Sequence, residues 1–172
     1  MIPLKEATAE KHKQAERMPF NVRMFRSLLS KDEYLLYLIQ QAEVFKTIEA
    51  IGTPHESLNR YPAVLEDIAE LRPVGSTEEV LDSTKAYVHY LASLTYEQVL
   101  PHIYLNYLAI MYGGQMMKKV VPSAGKMYDF ENMPQALQAV RSVQRDEWAD
   151  EVNKGFDYII AIFDELEKVT VN

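Results

Sequence analysis

The chain has 172 residues, of which 48% are hydrophobic and 25% charged, and this balance fits one globular domain spanning residues 1–172. The net charge of −7 argues against a broad nucleic-acid-binding surface, and the absence of cysteine excludes disulfides, thiolate metal sites and thiol nucleophiles. The N-terminus lacks an apolar core of signal-peptide length, and no apolar run approaches the roughly 18 residues that cross a bilayer. We therefore expect a cytoplasmic protein without a membrane segment.

The first half of the chain is predicted to form helices separated by proline, serine and glycine. Pro3 suits the first turn of a helix. Pro19 should end that same helix, because the residue before a proline avoids the α region. The sequence S-K-D-E at residues 30–33 is typical of a capping box that opens a long amphipathic helix. The predicted helices are residues 4–16, 21–28, 30–51 and 62–71.

The second half continues the helical pattern. A second capping-box pattern, S-T-E-E at residues 76–79, is predicted to open a helix whose face includes Val80 and Leu81. Later helices are predicted at residues 96–121, 134–146 and 148–168. Since no segment has the alternation of a strand bounded by turns, we predict an all-α single-domain bundle of about seven or eight helices.

Two adjacent glycines, Gly113 and Gly114, interrupt the apolar run Y-L-N-Y-L-A-I-M-Y-G-G-Q-M-M-K-K at residues 104–119. Each glycine inside a helix costs about 1 kcal/mol relative to alanine, so a compensating use is expected. A helix face without side chains allows the backbone to approach a planar ligand or another helix. The simpler interpretation is a helix crossing, or a helix that stops at Gly113.

Of the four histidines, His12 has a carboxylate, Glu16, one helical turn later. Such a carboxylate can accept a hydrogen bond from the far ring nitrogen and leave the other nitrogen free, which suits an axial ligand to heme iron. A plain surface ion pair is the alternative. His55 and His89 are predicted to be structural or solvated, and His102 lies at the start of the glycine-bearing helix. The sequence has no HExxH, EF-hand, P-loop or GxSxG pattern, nor paired di-iron motifs.

Two blocks resemble the heme oxygenases over nearly the whole chain. L-K-E-A-T-A-E-K-H-K-Q-A-E, residues 4–16, is similar to the family's proximal helix, and H-I-Y-L-N-Y-L-A-I-M-Y-G-G-Q-M-M-K-K, residues 102–119, to its distal helix. F-D-Y-I-I-A-I-F-D-E-L, residues 156–166, matches its last helix. The resemblance implies that heme b is both substrate and cofactor, and no flavin or iron–sulfur motif is expected in the chain.

The resemblance also assigns roles to residues by position. His12 would be the axial iron ligand, supported by Glu16, and the glycine pair would bring the bent distal helix close to the heme on the oxygen side. The remaining assignments are Lys5 and Arg141 as partners of the propionates, Tyr104 as a hydrogen-bond donor to them, and Phe156 and Phe163 as parts of the apolar wall.

The chain departs from the family where a distal aspartate organises water for proton delivery. Many members have Gly-Asp one turn before the glycine pair, whereas this chain has Ala109 and Ile110. Two supporting polar positions are replaced by Phe45 and Ile159. The proton route must therefore differ, and the candidates near these positions are Tyr112, Asn106, Tyr158 and Gln41.

The implied activity is oxidative opening of heme to biliverdin, by default the IX-alpha isomer, with release of CO and ferrous iron. Oxygen and an external electron donor are required; we expect ferredoxin at a basic patch of Arg23, Arg26, Lys118, Lys119 and Lys126, and a downstream bilin reductase is a further candidate partner. One rival is a heme-binding or heme-sensing protein that has lost turnover. The other is a non-heme member of the same architecture, such as a thiamin-degrading or di-metal enzyme.

Overall fold

A computed structural model describes residues 1–73 and 79–171, and its regular structure in these ranges is helical. Ten α-helices are present there: α1 Leu4–Ala7, α2 Ala9–Glu16, α3 Pro19–Phe25, α4 Lys31–Ile51, α5 Tyr61–Leu71, α6 Asp82–Ala92, α7 Tyr96–Met111, α8 Gly114–Val120, α9 Met133–Arg141 and α10 Ala149–Thr170. Single 3₁₀ turns occupy Glu56–Leu58, Lys126–Tyr128 and Asp146–Trp148. The predicted all-α fold is confirmed, and two predicted helices are each divided in two.

The first division is at Thr8, between α1 and α2. The Thr8 hydroxyl donates to the carbonyl of Leu4 at 2.9 Å, and the backbone of Thr8 departs from helical geometry at φ −110° and ψ 5°. Hydroxyls that bond back to the preceding turn bend helices in this way. Leu4, Thr8 and Ala15 are buried in this segment.

Helix α4 is the longest helix of the first half, and its predicted capping box is confirmed. Glu33 N–H donates to the Ser30 hydroxyl at 3.1 Å, and the Glu33 carboxylate accepts from Ser30 N–H at 2.9 Å. The predicted apolar face is buried, and it comprises Leu35, Leu38, Ile39, Ala42, Phe45 and Ile48. The helix ends at Gly52, whose φ is +137°.

The helix predicted from residue 76 begins later than expected. Ser76 lies outside the described residues, and α6 starts at Asp82, with Val80 and Leu81 before it. A buried side chain explains the extended segment: Gln40 donates to the carbonyl of Glu79 at 3.0 Å and accepts from Leu81 N–H at 2.9 Å. This tertiary pairing replaces the helical bonds that the sequence pattern suggested.

Helix α10 packs against α2, α6 and α7, and so joins the two ends of the chain. It approaches α7 closely at Gly155, where a Cβ added to the glycine would stand 2.6 Å from Leu105 Cδ2 and 3.0 Å from His102 Nδ1. A side chain at position 155 would therefore require these neighbours to shift, and glycine allows the crossing without that shift. In the described ranges no helix is both long and apolar enough to span a membrane.

Candidate functional site

His12 and Glu16 form an exposed pair on α2. His12 Nε2 lies 3.0 Å from Glu16 Oε1, and their side chains are 58% and 61% exposed. This contact uses the ring nitrogen far from the backbone, so a neutral ring with its hydrogen on Nε2 would keep the lone pair of Nδ1 free. The pair is exposed and lies within reach of a molecule arriving from solvent.

A small apolar cluster lies beneath this histidine. It contains Leu4, Ala15, Leu105, Val152 and Phe156, contributed by α1, α2, α7 and α10. The Phe156 ring lies 5.9 Å from the His12 ring, inclined by 22°. The cluster therefore connects the His12 side of α2 to α7 through Phe156 and Leu105.

The second division of a predicted helix is at the glycine pair. Helix α7 ends at Met111, Tyr112 is extended with ψ 125°, and Gly113 is left-handed at φ +73° before α8 begins at Gly114. A left-handed conformation costs roughly 1–2 kcal/mol for a residue with a side chain, which accounts for glycine at 113. The predicted continuous helix over 96–121 is thus wrong, and a sharp break takes the place of a gentle bend.

The two glycines face different surroundings. A Cβ on Gly113 would meet nothing within 4 Å, whereas one on Gly114 would stand 3.4 Å from Tyr128 Cδ1. Ala109 is exposed, while every other residue of 99–111 is buried or half-buried. Ala109 is also one turn from Leu105 of the small cluster. Ala109 near the end of α7 and Gly113 just beyond that helix are both exposed, and we call these two positions the open stripe; Gly114 packs inward against Tyr128.

The predicted anion-binding residues Lys5, Tyr104 and Arg141 are linked through shared neighbours. Arg141 donates to the Tyr112 hydroxyl, and its guanidinium lies 5.7 Å from the Tyr112 ring centre. Burial raises the pKa of Tyr104, and the charge of Arg141 opposes that rise. Lys5 is exposed and follows Leu4, whose N–H donates to Asp146 at 2.9 Å. The charge of Asp146 also raises the pKa of Tyr104. Asp146 therefore lies near both Tyr104 and the N-terminal segment that carries Lys5.

The two predicted wall phenylalanines lie in different clusters. Phe156 belongs to the small cluster, whereas Phe163 is in the main core, 6.2 Å from the Tyr37 ring and 6.3 Å from the Phe20 ring. The structure does not bring Phe163 to the His12 side. Phe45 and Ile110 are buried in the main core, and Ile159 packs against both clusters.

The predicted basic patch loses two of its charges to ion pairs. Lys118 Nζ lies 2.5 Å from Asp129, and Arg23 lies between Glu33 at 2.9 Å and Glu167 at 2.7 Å. Lys119, Lys126 and Arg26 are exposed. Helix α8 packs against α3 and against the turn at Lys126–Tyr128, so these three cations lie on adjoining elements.

A buried chain of polar side chains links α6, α7 and α10, and the sequence did not predict it. His102 is fully buried, with Nδ1 2.7 Å from the Tyr87 hydroxyl and Nε2 2.7 Å from Glu151 Oε2. Asn106 donates to the Tyr87 hydroxyl at 3.0 Å, and Tyr90 donates to Glu151 at 2.5 Å. We call these five residues the polar chain. The only local signal was the spacing of His102 and Asn106 by one turn.

Burial controls the titration of the polar chain. It lowers the pKa of His102 below the ordinary value, and the neighbouring Glu151 carboxylate opposes this only in part. Burial also acts to raise the pKa of Glu151, but the hydrogen bonds from Tyr90 and His102 outweigh it and lower that pKa. Burial and Glu151 raise the pKa of Tyr90 to about 12. At neutral pH the polar chain therefore contains a neutral His102 imidazole next to an ionised Glu151 carboxylate.

Two surface grooves lie beside these features. One is lined by Tyr90, Leu94, Glu97, Gln98, Pro101, Trp148 and Glu151, and opens the outer end of the polar chain to solvent. The other runs along α1 and α2 past Glu6, Glu10, Lys11, Gln14 and Asn153, and does not include His12. Across residues 1–73 and 79–171, no three His, Cys, Asp or Glu side chains are grouped as a metal site would require.

Comparisons with known proteins agree on one family. A family model described as heme oxygenase matches residues 2–163. Heme oxygenase 2 of Macaca fascicularis is 27% identical, over 96% of this chain and 64% of that protein, so the chain spans less than two thirds of that relative's length. The heme oxygenase of Rhodella violacea is 25% identical over 72% of this chain and 59% of its own.

Solved structures show the same fold. Heme oxygenase-1 of the cyanobacterium Synechocystis, in complex with heme, superposes with a TM-score of 0.83 at 20% identity, over 96% of this chain and 91% of that one. The heme oxygenase of Leptospira interrogans gives a TM-score of 0.79 at 23% identity, over 94% and 97%. With the family model covering residues 2–163, the chain belongs to the heme oxygenase family.

Proposed function

We propose that this protein binds heme between α2 and the open stripe and opens the ring to biliverdin, with release of CO and ferrous iron. Oxygen and external electrons are the other reactants. The observation that carries the proposal is the exposed His12–Glu16 pair on α2, because α2 shares the small apolar cluster with α7, the helix that bears Ala109. The IX-alpha isomer is the expected product, and the cytoplasm the expected compartment.

The residues on both sides fit a flat, anionic ligand. His12 would hold the iron through its free ring nitrogen, and Glu16 would fix the ring. Ala109 and Gly113 carry little or no side chain and face open space, so the backbone at these two positions could approach the macrocycle. Lys5, Arg141 and Tyr104 would hold the propionates. When bound, heme would supply the iron for oxygen reduction and would itself be the substrate.

Electrons would come from a small acidic ferredoxin docking on Lys119, Lys126 and Arg26. These cations are exposed, whereas Lys118 and Arg23 already have carboxylate partners. Charge reversal of Lys119 and Lys126 should raise the KM for reduced ferredoxin and leave dithionite-driven turnover unchanged. Lys46→Glu, an exposed site on α4, is the matched control. An unchanged KM in the double variant would remove these lysines from the proposal.

The test of the function is an anaerobic heme titration of wild type and His12→Ala, followed by air and reduced ferredoxin. Loss of the Soret band with growth of a broad red bilin band, dependent on reductant, is the expected result for the wild type. Addition of a bilin reductase should then consume the red-absorbing product. Absence of saturable heme binding would overturn the proposal.

A second candidate function is heme binding or sensing without turnover. It is favoured by the apolar side chains Ile110 and Phe45, which are buried where many family members use polar groups to support proton delivery. In that case the Soret band would persist through repeated additions of reductant and oxygen. The same titration therefore separates the two functions.

A further inference from the structure

We propose that Asn106 positions water on the oxygen side of the heme, in the place of the carboxylate that this chain lacks at Ile110, and that Tyr87, His102 and Glu151 hold its amide. This inference rests on the proposed function and adds a positioning residue to it. It is carried by the geometry of the polar chain and by its place on α7.

The orientation of the Asn106 amide follows from its neighbours. One amide atom lies 2.8 Å from the backbone carbonyl of His102, and since a carbonyl only accepts, that atom is the Nδ2 amino group. The same Nδ2 lies 3.0 Å from the Tyr87 hydroxyl, which occupies its second hydrogen. The carbonyl oxygen Oδ1 must then point away from both partners.

The roles of the other groups follow in sequence. The Tyr87 hydroxyl accepts from Asn106, so its single hydrogen is directed to His102 Nδ1 at 2.7 Å. His102 must therefore carry its hydrogen on Nε2 and donate it to the Glu151 carboxylate at 2.7 Å. In the polar chain the hydrogen bonds therefore all run one way, from Asn106 to Tyr87, from Tyr87 to His102 and from His102 to Glu151.

The remaining acceptor, Asn106 Oδ1, is available to water. In the described part of the chain no protein group donates to this oxygen, and it is not among the buried atoms sealed from solvent. His102, Asn106 and Ala109 follow one another at helical spacing, so Asn106 lies one turn from the open stripe. A water held at Oδ1 would border that stripe, where Ile110 offers no polar atom.

Two of the other candidates for this role, Tyr112 and Tyr158, are engaged elsewhere. Tyr112 is exposed and receives the hydrogen bond of Arg141. Tyr158 is stacked against Tyr87 at 4.9 Å and Tyr90 at 5.4 Å, and so packs against the outer part of the polar chain. Asn106 combines a fixed orientation with an acceptor that solvent reaches.

The test compares Asn106→Leu with Asn59→Leu in the full chain loaded with heme. Asn59 is a matched control, because its half-buried amide accepts from Thr53 at 2.8 Å and lies outside the polar chain. We expect Asn106→Leu to bind heme like the wild type but to open it roughly 10- to 100-fold more slowly, as for partners that act through a neighbouring group. The solvent isotope effect in D₂O should increase, since proton supply becomes limiting.

Two further measurements keep the test decisive. Tyr87→Phe removes only a hydroxyl, so it replaces Asn106→Leu if that variant does not fold, and slower ring opening is again expected. Nitrogen-15 NMR of His102 in the heme-free protein should show hydrogen on Nε2 alone at neutral pH; hydrogen on Nδ1 would contradict the derived orientation. Wild-type rates and isotope effects in both variants would overturn the role of Asn106, whereas a wild type that leaves heme intact would overturn the proposed function itself.

Discussion

Two histidine–glutamate pairs in the described part of the chain lie in opposite environments. His12 and Glu16 are 58% and 61% exposed and lie 3.0 Å apart within one helix. His102 and Glu151 are 0% and 32% exposed and lie 2.7 Å apart across two helices. The exposed ring uses one nitrogen within the protein, and the buried ring uses both. The same chemical pair therefore suits an external ligand in one place and the orientation of internal groups in the other.

The largest effect should come from removing the exposed ring. His12→Ala should lower heme affinity roughly 100-fold, equal to about 2.7 kcal/mol, because the side chain that we propose to hold the iron is lost. The free energy of unfolding should change by no more than about 0.5 kcal/mol, since surface substitutions cost little. Heme titration and urea unfolding of the same preparations measure both quantities. A large loss of stability would show that the ring also has a structural role.

The buried pair should respond in the reverse manner. Tyr87→Phe leaves His102 Nδ1 and the Asn106 amide without one partner each, and should cost about 1–3 kcal/mol of unfolding free energy. Heme affinity should stay near the wild-type value. Urea unfolding with Tyr96→Phe as control measures this difference, because Tyr96 is exposed. Equal stability of the two variants would mean that water replaces the lost hydroxyl.

The pH dependence of stability should also separate the pairs. The pKa of His102 is lowered in the folded state, so at pH values just below its ordinary pKa of 6.5 the unfolded chain binds more protons than the folded chain. The stabilisation from neutral His102 is complete above that value and is lost as the pH falls toward the folded pKa. Urea unfolding between neutral and mildly acidic pH should show this loss in the wild type and not in His102→Gln. Parallel curves would contradict it.

The smallest effect should come from the partner of the exposed ring. Glu16→Gln keeps an acceptor for His12 and removes only the charge of a surface pair, which is worth about 0–1 kcal/mol. Heme affinity should fall slightly and the unfolding free energy should remain unchanged. Heme titrations at low and high salt would measure the contribution of charge. A loss as large as that of His12→Ala would show that Glu16 does more than orient the ring.

Features that depend on local spacing were predictable from the sequence. The capping box at Ser30 and the break at Pro19 follow from a few neighbouring residues, and so does the one-turn spacing of His12 and Glu16. A second local signal was available but not used: Thr95 and Gln98 form a capping box that opens α7. The role of Gly113 was predicted only in part, because the pattern did not distinguish a bent helix from a broken one.

Features that depend on long-range packing were not predictable. Glu151 is 49 positions from His102, and only the crossing of α7 and α10 brings them together. Gln40 bonds to the backbone of residues 79 and 81, which lie outside a helix although the local pattern favoured one. The placement of Phe163 in the main core likewise depends on Phe20 and Tyr37, which come from other helices.

The crossing at Gly155 gives both histidine pairs a common dependence on one interhelical spacing. A methyl group added there would displace the end of the Leu105 side chain, which underlies the His12 side, and would press on the His102 ring. A variant that changes the spacing between α7 and α10 would therefore change the His12 side and the polar chain at the same time. To change only one of them, a variant would need to replace side chains at that site.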